Sequence, residues 1–387
     1  MTIPSLFQDE AARRREFPVT DGKVFLAHAA VSPLPLRVSE AIRAYSKACE
    51  TGDQEAVLPP AFLAETRELA ARLLGADRDE VALVGPTSLG LSLVANGLAC
   101  EPGDNVVCYA DDYPSNVYPW MTLARRGVEV RSIRPAELGR IELGDVLREV
   151  DARTRLVSLA SCHFVAGWRP DLSAIGRELQ SRGVRFCVDG IQTLGAFPFE
   201  VEGVDFVAAD AHKWLLGPCG AGLLYVRRSV QDELWPTVYG WHNLRCPDFV
   251  AQPELSFRPD ARRYEAGTAN LLELVGMRAA LELLLEVGIE AIGREVLRKR
   301  RFLGARLQEG GMEILGGADT PEAHAGGILS FRPPRGDPAA LHQRLTASGI
   351  LTSLRTDRQQ RQFIRLSPHF YNSDEELDRC IKAVLAG

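Results

Sequence analysis

The order of apolar segments predicts an α/β protein: a mainly parallel seven-stranded sheet covered by helices, with a smaller C-terminal α+β domain. Three observations carry that expectation. From about residue 60, helix-length and strand-length segments alternate, as a parallel sheet with helical crossovers requires. The strand-like runs are short and apolar, as strands covered on both faces are. After about residue 270 the alternation gives way to long stretches with apolar residues at three- and four-residue spacing, followed by three more strand-like runs.

Taken in order, a helix is expected over 61–74, a strand at Val81–Val84 and a second helix over 88–98. Strands follow at 105–109 and 128–133, with the helical stretch 115–126 between them. Four further apolar runs lie at 156–160, 185–188, 206–209 and Gly222–Val226. The last two are too close for a helical crossover, so one strand of the sheet runs antiparallel. Beyond 270, LLELVGMRAALELLLEVG and IEAIGREVLRKRRFLGARLQE are helical, then GILSFRPP reads as a strand and 338–348 as a helix. Strands near 350–354 and at Gln362–Leu366 and a final helix Asp374–Leu385 complete the chain.

Composition narrows the function. The chain has 387 residues, 46% apolar and 25% charged, with a formal net charge of −6. That length allows a large core and two domains, and that charge argues against nucleic acid or an anionic membrane as the main partner. No spanning apolar helix or secretion signal is evident, so a cytoplasmic location is expected. The eight cysteines form no CxxC pair, which excludes a recognisable zinc site or disulfide framework.

In open parallel sheets ligands sit at the carboxyl ends of strands, and three segments put unusual polar residues there. In VALVGPTSLGLSLVANGL, Thr87 and Ser88 open a helix straight after a strand and a Gly-Pro turn. Free N–H groups at a helix start suit a phosphate, while a plain helix cap by either hydroxyl is the competing reading. In VRFCVDGIQTLGAFP, Asp189 ends a buried strand and Gln192 follows one turn later. A buried carboxylate needs a cationic partner; a protonated heterocycle would serve, and so would a capping role. In VDFVAADAHKWLLGPCGAGLLYV, Lys213 follows a buried strand and is flanked by Trp214, Leu215 and Leu216. A desolvated amine has a lowered pKa and attacks aldehydes, so Lys213 reads as a Schiff-base lysine. Phosphate donors, a carboxylate and an amine, in that order, are the needs of pyridoxal 5′-phosphate.

With those residues in hand, HAAVSPLP, VDGIQTLGAFP, AHKWLLGPCGAGLLYV, YEAGTAN and IRLSPHFYNSDEELD resemble the class V aminotransferase family. These are fold-type-I pyridoxal-phosphate enzymes that include cysteine desulfurases and isopenicillin N epimerase-like proteins. The resemblance implies a Lys213 aldimine, Asp189 on the pyridine nitrogen and Gln192 near the ring hydroxyl. It implies Thr87, Ser88 and His212 at the phosphate, Tyr113 stacked on the ring and His163 beside it in a catalytic position. Arg365 is similar to the arginine that grips the substrate α-carboxylate, with Arg355 as a second candidate. Thr268 is similar to a residue that reaches the neighbouring subunit's phosphate, which implies a homodimer with shared sites. The implied division is an N-terminal segment 1–25 packing on the small domain, a large domain 26–265, and a linking helix with the small domain 266–387. No metal is expected.

Two positions depart from the family. Asp210 stands where many relatives have a phosphate-binding serine; a carboxylate there is expected to turn away or cap an amide. The stretch LRTDRQQRQFIR lacks the cysteine that desulfurases use to accept sulfur, and Cys380 reads as core. An aminotransferase is the leading expectation, a lyase or epimerase the alternative and a non-catalytic binder a remote one.

Overall fold

The computed structural model describes residues 1–386 and is built around a seven-stranded sheet. Its strands, in chain order, are β1 (Val81–Val84), β2 (Asn105–Cys108), β3 (Glu129–Ser132), β4 (Thr154–Ala160), β5 (Arg185–Asp189), β6 (Phe206–Asp210) and β7 (Gly222–Val226). Their spatial order is β1-β7-β6-β5-β4-β2-β3. All pairs are parallel except those of β7, which runs antiparallel to β6 and to β1. The expected fold class and the one reversed strand are both present. Alternation within each central strand splits the core in two: Val188 and Val207 point to one layer of helices, Cys187 and Ala208 to the other.

A second sheet is antiparallel and has four strands: β8 (Glu313–Ile314), β9 (Leu329–Arg332), β10 (Ser353–Thr356) and β11 (Gln362–Leu366), in spatial order β10-β11-β9-β8. Helices Pro338–Ala347 and Asp374–Leu385 cover it, and Cys380 is wholly buried among Leu377, Ile381 and Val384. The 17-residue helix Leu271–Val287 and the 21-residue helix Ile289–Glu309 connect the two sheets. Near the N-terminus, Val24–Phe25 pairs in parallel with Ile350–Leu351, and Arg13 is ion-paired to Glu376 at 2.8 Å. Phe17 stacks on Tyr371 with ring centroids 4.0 Å apart.

One expected helix is broken. The stretch 115–126 folds as a 3-10 turn Pro114–Asn116, a single helical turn Tyr118–Met121 and a 3-10 segment Thr122–Arg126. Pro119 has no N–H to give the preceding turn, and its ring crowds the carbonyl four residues back.

The helix Thr87–Gly97 lies directly on β6, and Gly90 makes that possible. A Cβ at Gly90 would come within 2.9 Å of the Ala208 Cβ, so any side chain would lift the helix away from the sheet. That contact fixes the start of the helix against the end of β6.

Candidate active site

The ends of β1, β4, β5 and β6 converge with two residues from the second sheet. Asp189 ends β5 and is buried, with Oδ1 accepting the Ile191 N–H at 3.0 Å. Burial and then the neighbouring Asp112 raise its carboxyl, against the pull of the Ile191 N–H and Lys213, to about 7.

Lys213 lies three residues past the end of β6 and is buried too. Burial lowers its ammonium to about 8, with Asp189 opposing that fall and Arg365 reinforcing it. Its Nζ stands 5.1 Å from the centroid of the Tyr113 ring. The backbone around it is tied down on both sides. The Ser32 N–H donates to the His212 carbonyl and the Ser32 hydroxyl to the Lys213 carbonyl, each at 2.7 Å. Trp214 donates its indole N–H to Gln192 Oε1 at 3.1 Å. His369 accepts the Phe370 N–H at Nδ1, so its Nε2–H donates to the Trp214 carbonyl at 3.0 Å. Leu216 closes the turn in the left-handed region, φ 58°, an uncommon conformation for a leucine.

At the other side of the site, Pro86 precedes the helix Thr87–Gly97 and no side chain caps its first turn. The capping alternative for Thr87 and Ser88 is therefore not what the structure shows; Ser88 is exposed at the free helix start, where the dipole favours an anion. Asp210 does not turn away or cap an amide. Its Oδ1 accepts the Thr87 hydroxyl at 2.8 Å and its Oδ2 faces His212 Nδ1 at 2.9 Å. The carboxylate is thus satisfied by the two side chains expected at the phosphate.

His163 is buried with both ring nitrogens engaged by backbone: Nδ1 accepts the Ala166 N–H at 3.0 Å, so Nε2 donates to the Asp111 carbonyl at 3.1 Å. Arg365 is 1% exposed. Its Nη1 donates to the Phe164 carbonyl at 2.6 Å, Nη2 lies 3.5 Å from Ser353 Oγ, and Nε has no partner. Burial, reinforced by Arg355, lowers this guanidinium to about 9. Thr268 is not in this group. It lines a surface cavity of about 530 Å³ with Trp241, His242, Pro59 and Leu271.

Sequence reasoning missed Asp112, which is buried beside Asp189 and accepts the Tyr113 N–H at 2.7 Å and the Asn116 amide at 3.0 Å. It also missed the bracing roles of Ser32 and His369. The DDYPSN run and the Ser of HAAVSPLP were the available signals, but only the fold brings them to the strand ends.

The model of the family described as aminotransferase class-V matches residues 24–380. The chain belongs to that family. It is 30% identical to a probable cysteine desulfurase of Methanothermobacter thermautotrophicus, over 94% of each chain. It is also 30% identical to the isopenicillin N epimerase of Streptomyces clavuligerus, over 84% of each chain. In fold it is similar to the apo cysteine desulfurase of Thermococcus onnurineus, with a TM-score of 0.88 and 23% identity over 97% of each chain.

This class V enzyme uses pyridoxal 5′-phosphate, and the donor set fits it. An uncapped helix start suits the phosphate, a buried carboxylate suits a pyridinium, and a desolvated amine suits an aldehyde.

The buried acid makes the apoprotein sensitive to pH. A carboxyl whose folded pKa is raised binds its proton more tightly than in the unfolded chain. Its contribution to stability is therefore present below the unfolded value and is lost as pH rises towards about 7. Asp189→Asn should stabilise the apoprotein at pH 8, with the gain shrinking steadily towards pH 4. Urea unfolding across that range measures it, and a gain independent of pH would contradict the assignment.

Proposed function

We propose that this class V enzyme is an aminotransferase acting on an amino acid or a related amino-carboxylate. Bound at the strand ends, the cofactor would supply an aldehyde carbon for the substrate amine and a ring that accepts the electrons released at Cα. Lys213 would hold the cofactor, and its amine would be the group placed to move the substrate's Cα proton. Asp189 would hold a proton on the ring nitrogen, and Gln192, fixed by Trp214, would serve the ring hydroxyl. The helix start at Thr87 and Ser88 would receive the phosphate, while Asp210 is occupied by Thr87 and His212. Tyr113, whose ring lies 5.1 Å from Lys213 Nζ, would pack against the cofactor. Arg365 offers its unpartnered Nε and Nη2 to the α-carboxylate, a two-pronged charged contact.

The observation that supports transamination is that two candidates for a second base are already engaged. His163 has both nitrogens engaged by backbone, and Asp357, in the β10–β11 turn, is bonded to Arg361 at 2.7 Å. Lys213 alone suffices to move a proton between two carbons on one face, whereas two-base epimerisation needs a partner on the other face. The same turn, 357–361, has no cysteine, which argues against sulfur transfer by a persulfide. Epimerisation or elimination remains the second reading, supported by the likeness to an isopenicillin N epimerase.

The test is to screen amino acids for loss of the cofactor's visible absorbance, then add a keto acid. Recovery of the band by the keto acid is expected. Release of pyruvate or ammonia without an acceptor would favour a lyase, and inversion at Cα an epimerase. In R365A the amino acid concentration needed should rise by about 10- to 100-fold, the range of a charged hydrogen bond.

We further propose a cytoplasmic homodimer divided into segments 1–25, 26–265 and 266–387. No helix among the described residues is long and apolar enough to cross a membrane. Trp235, Tyr239, Trp241, Phe249, Val250 and Leu255 are exposed together on one stretch, a surface suited to a second copy. Thr268 lies in a cavity beside Trp241, apart from the Lys213 cluster, so its phosphate contact would be to the partner. Mixing Lys213→Ala with Thr268→Ala subunits should restore activity above either alone; a mixture no better than its components would argue against shared sites.

A further inference from the structure

The second sheet delivers two arginines to the site, and one α-carboxylate accounts for only one of them. In the antiparallel pair β10–β11, Ser353 lies opposite Arg365 and Arg355 opposite Phe363. Residues two apart on a strand share a face, so Arg355 and Arg365 are diagonal neighbours on one side of the sheet, about 7–8 Å apart at the backbone. Among charged groups Arg355 acts most strongly on the Arg365 guanidinium, and both act on Lys213.

Neither arginine is neutralised. Among the described residues no carboxylate pairs with Arg355. The charged and titratable groups around it are Arg365, Lys213, Tyr113 and His342. Only one of its five N–H donors is engaged, Nη1 with the Leu354 carbonyl at 3.0 Å. Burial pulls its guanidinium down. Elsewhere this chain matches buried arginines to acids: Arg13 with Glu10 and Glu376, Arg67 with Glu265 at 2.5 Å. Arg169 and Arg300, which lack such acids, give their donors to backbone carbonyls and Thr320. Arg355 has no acid and a single backbone carbonyl, which leaves most of its donors open to an anion arriving from outside.

We propose that Arg355 binds a second, distal carboxylate, so that the substrate is a short dicarboxylic amino acid. The inference rests on the reading of Arg365 as the α-carboxylate anchor. With Arg365 holding one end beside Lys213, a diagonal spacing of about 7–8 Å suits a side chain that ends its carboxylate two or three carbons from Cα, counting the carboxyl carbon. The selectivity is electrostatic: an amide of the same shape would leave the half-buried Arg355 without an ionic partner.

The test titrates the cofactor-loaded enzyme, by its visible absorbance, with aspartate and glutamate against asparagine and glutamine, both enantiomers of each. At least one acid should bind more tightly than its amide by about 10- to 100-fold, the range of a charged hydrogen bond. In R355Q that ratio should fall to near one, and R355K should recover part of it. Equal binding of acid and amide by the unaltered enzyme would overturn the proposal. So would a loss in R355Q that is the same for acid and amide, because it would assign Arg355 to the α-carboxylate. Silence towards every amino acid, with the absorbance band intact, would instead remove the amino-acid reading of the site and this inference with it.

Discussion

The structure depends on the cost of keeping a carboxyl group and an amine out of water at the ends of adjacent strands. Asp189 and Lys213 are each buried, and each is driven towards its neutral form: the acid to about 7, the amine to about 8. Asp112 adds a second buried acid beside the first, and Arg365 a second buried base beside the other. A ligand with a basic ring nitrogen at one end and an aldehyde at the other relieves both, since it pairs with the acid and consumes the amine. Held there as proposed, the cofactor would be part of the electrostatic balance of the core as well as the agent of chemistry.

That balance needs rigid supports, and most of them come from far along the chain. Ser32 and His369 grip the carbonyls on either side of the reactive lysine, one from near the N-terminus and one from the C-terminal part. The close approach at Gly90 holds the start of the helix Thr87–Gly97 against β6. Asp210 ties that helix to the lysine turn through Thr87 and His212, so the helix start and Lys213 are referenced to the same strand end. Rigid first contacts of this kind let an enzyme orient a substrate without reorganising during the reaction.

Much of this was legible in the sequence, for a physical reason. A parallel sheet forces its strands to be apolar and brings their carboxyl ends together, so polar residues at those ends stand out; Asp189 and Lys213 did so. The start of the helix at Thr87 was readable from the Gly-Pro turn. Side-chain pairings across long separations were not readable. Asp210 bonds to Thr87, 123 residues away, and nothing local to either residue signals it. The departure at Asp210 was visible but its resolution was not. The break at Pro119 was available in the sequence but yielded to a strong helical pattern around it. The relation of Arg355 to Arg365 needed the strand register, which periodicity alone does not fix.

The most direct measurement is a crystal structure of the cofactor-loaded protein after borohydride reduction. The account predicts a covalent bond from Lys213 Nζ to the cofactor and an Asp189 oxygen about 2.7–3.2 Å from its ring nitrogen. A cofactor fixed to another lysine, or a ring nitrogen turned away from Asp189, would contradict it.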